Sequence, residues 1–183
     1  NTNSAYQCEL LDGLWHCGIT NYPYIAYFKP NLCRSLRAQY DTWSEVQFVR
    51  HVSRIVRIYN PDVLVTHSVG GEGGDGGHMA CADAAKRSVH TAMDDKYDVG
   101  YGVKLYGNWQ LKKLYLHNQG DNMITLDYNQ PLDFFGGKTA MEVAQEAYAM
   151  QSSQRKSVPQ LRTDGFYHGA VYGLAYSNVG EDT

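Results

Sequence analysis

The stretch from Val63 to Val89 constrains the fold of this chain more than any other segment. It begins with a short apolar run rich in β-branched residues, passes through a glycine-rich loop at 70–77 and enters an alanine-rich run with helical periodicity. A strand, a glycine loop and a helix start form the layout that presents polar side chains at the carboxyl edge of a parallel sheet. The polar side chains within this layout are His67, Ser68, Glu72, Asp75 and His78. We therefore expect any chemistry of the protein to be located here.

Length and composition indicate one globular domain. The chain has 183 residues, enough for a single sizeable core, and 43% of them are apolar while 19% are charged. A net charge of −3 argues against a nucleic-acid binder, which usually carries a basic face. No apolar run approaches the roughly 18 residues that a membrane span requires. We expect a cytoplasmic protein, with an extracellular one as the alternative, and with no nucleic acid among its partners and no membrane span.

The cysteines do not form a recognisable metal motif. Cys8, Cys17, Cys33 and Cys81 include no Cys-x-x-Cys pair, and their spacing fits no common zinc finger. Cys81 lies on the predicted helix after the glycine loop and is interpreted as a small buried residue. A disulfide among the other three would require an oxidising compartment, so we favour free cysteines in a reduced protein.

The first half of the chain contains one clear helical pattern. Residues 1–40 mix aromatic and turn-forming residues without periodicity, which predicts loops. Thr42 and Glu45 have the spacing of a capping box, and the apolar residues behind them predict a helix over 43–59. The other face of this helix carries arginines and is predicted to be solvated: Arg50, Arg54 and Arg57.

The remaining pattern completes an α/β arrangement. A second helix is predicted over 77–94, so that helix, turn, strand, glycine loop and helix form a unit built on a parallel strand. Further along, the sequence predicts a loop over 96–107, strands over 111–117, 123–128 and 171–176, a helix starting near Lys138 or Thr139, and a polar loop over 152–165.

Three kinds of chemistry could use a glycine loop of this type. A phosphate cradle is weakly supported, because a loop so rich in glycine matches almost any glycine spacing. A serine nucleophile is excluded, since Ser68 has no Gly-x-Ser-x-Gly elbow. Metal-assisted hydrolysis is the third, because Asp75 and His78 place a carboxylate and an imidazole one turn apart at a helix start. The alternative reading of that pair is a helix cap and a surface histidine.

The segment PDVLVTHSVGGEGGDGGHMACADAA resembles the PIG-L/LmbE family of zinc-dependent N-deacetylases. Members of that family carry Pro-Asp-Val-hydrophobic-Thr-His before a loop of the type Gly-Glu-Tyr-Gly-His-Gly-x-His. The likeness extends to DGLWHCGITNYP, KKLYLHNQGDNMITLDYNQPLDFFGGKTAMEVAQEAYAMQSSQ and VYGLAYSNVG, and covers about residues 8 to 181. It implies a Rossmann-like parallel sheet with flanking helices, in a single domain over 1–183 that corresponds to the C-terminal two thirds of the family fold.

The resemblance also implies an activity and a site. Family members remove acetyl groups from N-acetylglucosamine-type sugars or conjugates with a zinc ion at the carboxyl edge of the parallel strands. His78 occupies the place of a zinc ligand in the family motif. Asp75 occupies the place of the histidine that stabilises the oxyanion and is the catalytic candidate, while Gly73 stands at the place of the loop tyrosine.

One family motif is missing from this sequence. The remaining zinc ligands and the general base belong to a His-Pro-Asp-Asp segment, and the chain contains none. One hypothesis is an active N-deacetylase of N-acetylated sugars or glycoconjugates whose N-terminal segment is supplied by a separate chain or precedes this sequence. The other is a family member that has lost catalysis and acts as a structural or carbohydrate-binding module, with its tyrosine-rich loops as the binding surface. An unrelated α/β domain is the least favoured interpretation.

Other polar residues are expected to be structural. His16 and His117 are interpreted as satisfied loop or core histidines rather than ligands. Glu72 is expected to be a loop carboxylate, with contact to substrate or to a ligand histidine as the alternative. His67 is predicted near the end of a parallel strand and His78 in the first helical turn after it, both facing a common cleft.

Overall fold

The computed structural model of the protein describes residues 2–29, 31–151, 153 and 170–180. In chain order its helices are α1 (Thr2–His16), α2 (Leu36–Trp43), α3 (Glu45–Tyr59), α4 (Gly76–Thr91), α5 (Lys104–Tyr106) and α6 (Ala140–Ala149). Its strands are β1 (Val63–Thr66), β2 (Lys113–His117), β3 (Asp121–Thr125) and β4 (Val171–Ser177). The chain divides into two compact units, 1–27 with 126–170 and 28–125 with 171–183. The single domain over 1–183 stays a prediction.

The larger unit contains a four-stranded sheet in the order β1-β2-β4-β3. β1 and β2 run parallel, with Val63 opposite Lys113 and Thr66 opposite Leu116, while β4 is antiparallel to both of its neighbours. The prediction of a mixed α/β fold with flanking helices is confirmed, but a Rossmann-like parallel sheet is not, since the described strands form only one parallel pair. Residues 118–120, which link β2 to β3, are far shorter than the crossover of about a dozen residues that adjacent parallel strands need.

Helix α4 connects the two parts of the core of this unit. Its buried Ala80 and Ala84 pack against Phe48 and Val49 of α3. On its other side, α4 contributes two residues to a second buried cluster: Ala85, Val89, Leu111 and Leu114. The alanine residues give α4 short side chains on both faces, which allows close approach on both sides of the helix.

The predicted elements around the glycine loop are confirmed, but the capping box is wrong. The strand lies at 63–66, and the helices predicted over 43–59 and 77–94 are α3 and α4. Thr42 is already inside α2, and its hydroxyl donates a hydrogen bond to the carbonyl of Ala38, four residues back. Only Ser44 separates α2 from α3, with a φ of 59° and no side-chain cap hydrogen bond. A threonine within a helix uses its hydroxyl on the preceding turn and cannot cap the next helix.

The loops predicted over residues 1–40 are wrong, because α1 and α2 lie there. The apolar residues of α1 are spread around the helix, so they give no amphipathic pattern. In the smaller unit α1 packs against α6, where a side chain on Gly13 would lie 3.1 Å from the Ala147 carbonyl oxygen. His16 Nε2 lies 2.9 Å from the Glu146 carboxylate, so His16 has a partner as expected.

The later predictions are largely confirmed. Strands β2, β3 and β4 overlap the predicted segments, and α6 starts after Thr139, whose side chain forms a true capping box with Glu142. The loop predicted over 96–107 contains instead a π-helical turn at Val99–Val103 followed by α5. The polar loop predicted over 152–165 lies outside the described residues, apart from Ser153.

The arginine face predicted for α3 is not solvated throughout. Arg57 is 1% exposed, and its guanidinium donates to four backbone carbonyls. The acceptors lie at the C-terminal end of α4 and in the residues after it: Thr91, Ala92, Asp94 and Tyr97. The end of a helix leaves carbonyl groups without intrahelical partners, and Arg57 supplies donors for them.

Replacing Arg57 with methionine is expected to lower the free energy of unfolding by about 2 kcal/mol, because buried carbonyls would lose their donors. Urea denaturation of the purified variant measures this change. Arg50→Met is the matched control, since the Arg50 side chain is 44% exposed and its closest carboxylate contact, to Asp98, is 3.7 Å. We expect the control to change stability by less than about 1 kcal/mol. Equal stability of the two variants would show that Arg57 does not hold the end of α4.

None of the helices that the structure describes is long and apolar enough to cross a membrane.

The structure contains four free thiols among the described residues: Cys8, Cys17, Cys33 and Cys81. Burial raises the pKa of Cys17 and of Cys81 above that of an ordinary thiol, so these two thiols are weak nucleophiles at neutral pH.

Candidate metal centre

Four segments of the larger unit bring polar side chains to the carboxyl edge of the parallel strand pair. His67 follows β1 directly, and His117 is the last residue of β2. Because Thr66 is paired with Leu116, the next residue on each strand reaches the same edge. His78 lies in the first turn of α4, and Glu72 opens a short 3-10 turn in the glycine loop. The predicted positions of His67 and His78 are confirmed.

Glu72 is the centre of this cluster. Its side chain is buried, at 7% exposure for the residue, although it belongs to a loop. Carboxylate oxygen Oε1 accepts hydrogen bonds from the Ser68 N–H at 3.0 Å and from His117 Nδ1 at 2.8 Å. Oxygen Oε2 lies 2.8 Å from His67 Nδ1 and 2.9 Å from His78 Nδ1. Each carboxylate oxygen therefore faces two nitrogen atoms.

The protonation of the cluster follows from the carboxylate. Burial acts to raise the pKa of Glu72, but hydrogen bonds from Ser68 and His117 and the nearby His67 outweigh it and lower the pKa to about 2. An ionised carboxylate is an acceptor only, so His67 and His117 must donate through Nδ1. A metal ion bound by His67 at Nδ1, beside Glu72 Oε2, would take the place of that proton.

The imidazoles of His67 and His78 are stacked. Their ring centroids lie 4.0 Å apart and their planes differ by 4°. Burial lowers the pKa of His67, and the neighbouring His78 lowers it further, which favours a neutral His67 ring at neutral pH. The two stacked rings place their Nδ1 atoms near the same oxygen of Glu72.

His78 Nδ1 is the least satisfied atom of the cluster. It is buried and lies 2.9 Å from Glu72 Oε2, yet the two atoms do not meet the angular requirement of a hydrogen bond. We interpret the short distance as electrostatic proximity rather than a hydrogen bond, because hydrogen bonds depend steeply on angle. A buried imidazole nitrogen without a hydrogen-bond partner is the kind of atom that a metal ion would satisfy.

Glycine residues shape the loop that carries Glu72. Gly71, Gly73 and Gly74 all have positive φ values, of 64°, 65° and 72°. At Gly71 a Cβ atom would lie only 2.3 Å from the carbonyl oxygen of Asp75, so no other residue fits without a backbone shift. The loop is thus bent back tightly, and this bend directs the Glu72 side chain toward the strand ends.

Asp75 is the N-cap of α4. Its Oδ1 accepts hydrogen bonds from the backbone N–H groups of Gly77 at 2.8 Å and His78 at 3.1 Å. The cap reading of Asp75, considered as an alternative from the sequence, is therefore present in the structure. Asp75 also places a negative charge beside the positive end of the helix that carries His78. A catalytic role for Asp75 stays a prediction.

Three members of the cluster could hold a metal ion together. His67, Glu72 and His78 each offer one donor atom, and these atoms lie within 4.8 Å of one another. Two imidazoles and one carboxylate are a ligand set found in catalytic zinc sites, which leave a fourth position open. The donor set and the unsatisfied nitrogen of His78 both fit a divalent transition metal. The ligand role of His78 agrees with this arrangement and stays a prediction.

The sequence alone does not indicate the central place of Glu72 and His117 in the cluster. Glu72 was expected to be an ordinary loop carboxylate, but the alternative of contact with histidines is what the structure shows. His117 is buried, as expected, but its partner is the central residue of the cluster. A usable signal was present, because two apolar strand segments, VLVT and KLYL, are each followed by histidine. Parallel pairing of such segments places the two histidines side by side.

Comparison with known proteins does not assign this chain to a family. No protein-family model matches the chain, and no curated protein matches it at a significant level.

Proposed function

We propose that the protein is a metal-dependent hydrolase that removes the acetyl group from an N-acetylglucosamine-type sugar or conjugate. The observation that carries the proposal is the cluster of His67, Glu72 and His78 at the carboxyl end of β1. This cluster lies within the segment that resembles the PIG-L/LmbE deacetylases. Parallel pairing of β1 with β2 supports a Rossmann-like arrangement around the site.

The ligand set makes the proposal specific to this chain. His78 stands at the place of a family zinc ligand, and its buried Nδ1 has no hydrogen-bond partner. His67 and Glu72 would take over the positions that the His-Pro-Asp-Asp segment supplies in the family. Zinc is the metal we favour, because imidazole and carboxylate ligands suit it and it has no redox chemistry to interfere with hydrolysis.

The reaction is the hydrolysis of an amide. The C–N bond of the acetamide breaks, the oxygen of one water molecule joins the acyl carbon to give acetate, and both protons of that water end on the nitrogen, which leaves as the ammonium form of the amine. A divalent metal polarises the carbonyl group and lowers the pKa of a water molecule, the two requirements of this reaction at neutral pH. The side chains of His67, Glu72 and His78 would hold the metal, and Asp75 caps the start of the helix that carries His78.

A second candidate is a structural or carbohydrate-binding module without catalysis. Asp75 favours it, because Oδ1 is engaged as a helix cap at the position where the family has an oxyanion-stabilising histidine. An ionised carboxylate cannot donate a hydrogen bond to an oxyanion. The sequence also contains no His-Pro-Asp-Asp segment, which supplies the general base in the family.

Metal content together with acetate release tests the two candidates. The protein, purified with any chain that accompanies it, is expected to contain about one zinc ion per chain and to melt at a lower temperature after metal removal. With N-acetylglucosamine as substrate, the deacetylase proposal requires release of acetate that a chelator abolishes and added zinc restores. His78→Ala is expected to lose the metal, whereas the exposed His90 gives the control His90→Ala.

The other outcomes are equally informative. Bound zinc and sugar without acetate release would favour the non-catalytic module. A folded protein that binds no divalent metal would overturn the proposed metal site and the deacetylase proposal with it.

A further inference from the structure

We propose that His117 is a positioning residue of this metal site. It holds the Glu72 carboxylate so that Oε2 is the oxygen presented to His67 and His78. The inference rests on the proposed metal site and adds to it a fourth residue, on a different strand, that does not itself bind the ion.

The two oxygens of Glu72 have different partners. Oε1 accepts from His117 Nδ1 and from the Ser68 N–H, whereas Oε2 faces the two nitrogens of the proposed ligands. Rotation of the carboxylate would break both hydrogen bonds to Oε1. These bonds are made in a buried place, where hydrogen bonds are strong and a lost partner is not replaced by water. Oε1 therefore serves as the anchor and Oε2 as the ligand atom.

His117 lies outside the group of proposed ligands. The donor atoms of His67, Glu72 and His78 are mutually close, and His117 does not belong to that group. Because β2 is paired in parallel with β1, His117 contacts the carboxylate at Oε1, the oxygen that does not face His67 and His78. A residue that orients a metal ligand through a hydrogen bond commonly contributes a factor of about 10 to 100 in metal affinity.

The sheet fixes His117 in turn. It is 7% exposed and is paired with Tyr172 of β4, whose ring centroid lies 5.6 Å from that of the imidazole. β2 is an interior strand of the sheet, with β1 on one side and β4 on the other. An anchor on an interior strand is more rigid than one on a loop, which is what a positioning residue requires.

Substitutions that move the donor atom test this role. Asparagine at position 117 can place its amide N–H where His117 has Nδ1, whereas glutamine places its amide where the imidazole has Nε2. Zinc is titrated into the metal-free protein, and thermal melting in chelator reports folding. We expect His117→Leu and His117→Gln to bind zinc about 10- to 100-fold more weakly and His117→Asn to stay within about 3-fold of wild type. The control His90→Asn is expected to bind like wild type.

Each outcome has a defined meaning. If His117→Leu folds poorly, the zinc affinities of the glutamine and asparagine variants decide whether His117 positions Glu72. Both side chains are polar, and they differ in where the donor lies. Equal zinc affinity of these two variants would overturn the positioning role of His117. Failure of the wild-type protein to bind zinc would instead overturn the proposed site, and the two failures are therefore distinguishable.

Discussion

Replacing Glu72 with glutamine is expected to weaken zinc binding by at least about 100-fold and to lower the free energy of unfolding of the metal-free protein by about 2 kcal/mol. The amide removes the negative charge that the metal requires and offers one acceptor oxygen in place of two. At least one of the N–H donors that now reach the carboxylate, from Ser68, His67 and His117, would then face an NH₂ group. A buried donor without an acceptor costs about 1–3 kcal/mol.

Zinc titration and urea denaturation in chelator separate the two effects of this substitution. Glu45→Gln is the matched control, because the Glu45 side chain is 48% exposed and pairs with Arg87 at the surface. That control is expected to change stability by less than about 1 kcal/mol and to leave zinc binding unchanged. Wild-type zinc affinity in Glu72→Gln would show that the carboxylate is not a ligand of the metal.

The local part of the site could be predicted from the sequence. The run Val63–Thr66 is apolar and β-branched, and the alanine-rich run after Gly77 has helical spacing, so strand and helix follow from neighbouring residues alone. The positions of His67 at the strand end and His78 in the first helical turn follow from those elements.

The long-range part could not be predicted in the same way. Whether His117 meets Glu72 depends on the register of β1 against β2, two strands that are far apart in the chain. The apolar pattern of a strand fixes which side chains face the core but does not name its partner or its direction. For the same reason the position of β4 between β2 and β3 was missed, and with it the largely antiparallel sheet.

The burial of Glu72 is a case where residue type misleads. Carboxylates in glycine-rich loops are usually exposed, and nothing adjacent to Glu72 in sequence indicates burial. Its environment is created by the bend of the loop, which turns the side chain toward three histidines from three other segments. The glycines therefore have a different role from the phosphate cradle considered from the sequence, since they set the direction of one side chain.

This role of the loop leads to a prediction at Gly71. Replacing it with alanine is expected to lower the free energy of unfolding by about 3 kcal/mol and to weaken zinc binding at the same time. Its φ and ψ of 64° and 138° belong to a region that residues other than glycine rarely adopt. The new Cβ would also lie 2.3 Å from the Asp75 carbonyl oxygen, a backbone atom that cannot rotate away.

The adjacent Gly70 is the matched control for this prediction. A Cβ there would have no atom within 4 Å, and its φ is not positive, so Gly70→Ala is expected to leave stability unchanged or to raise it by up to about 1 kcal/mol. Urea denaturation and zinc titration of both variants make the comparison. Relief of the contact at Gly71 requires a shift of residues 71–75, the segment that contains Glu72, so stability and zinc affinity should fall together. If Gly71→Ala kept wild-type zinc affinity, the bend of the loop would not be what places the Glu72 carboxylate beside His67 and His78.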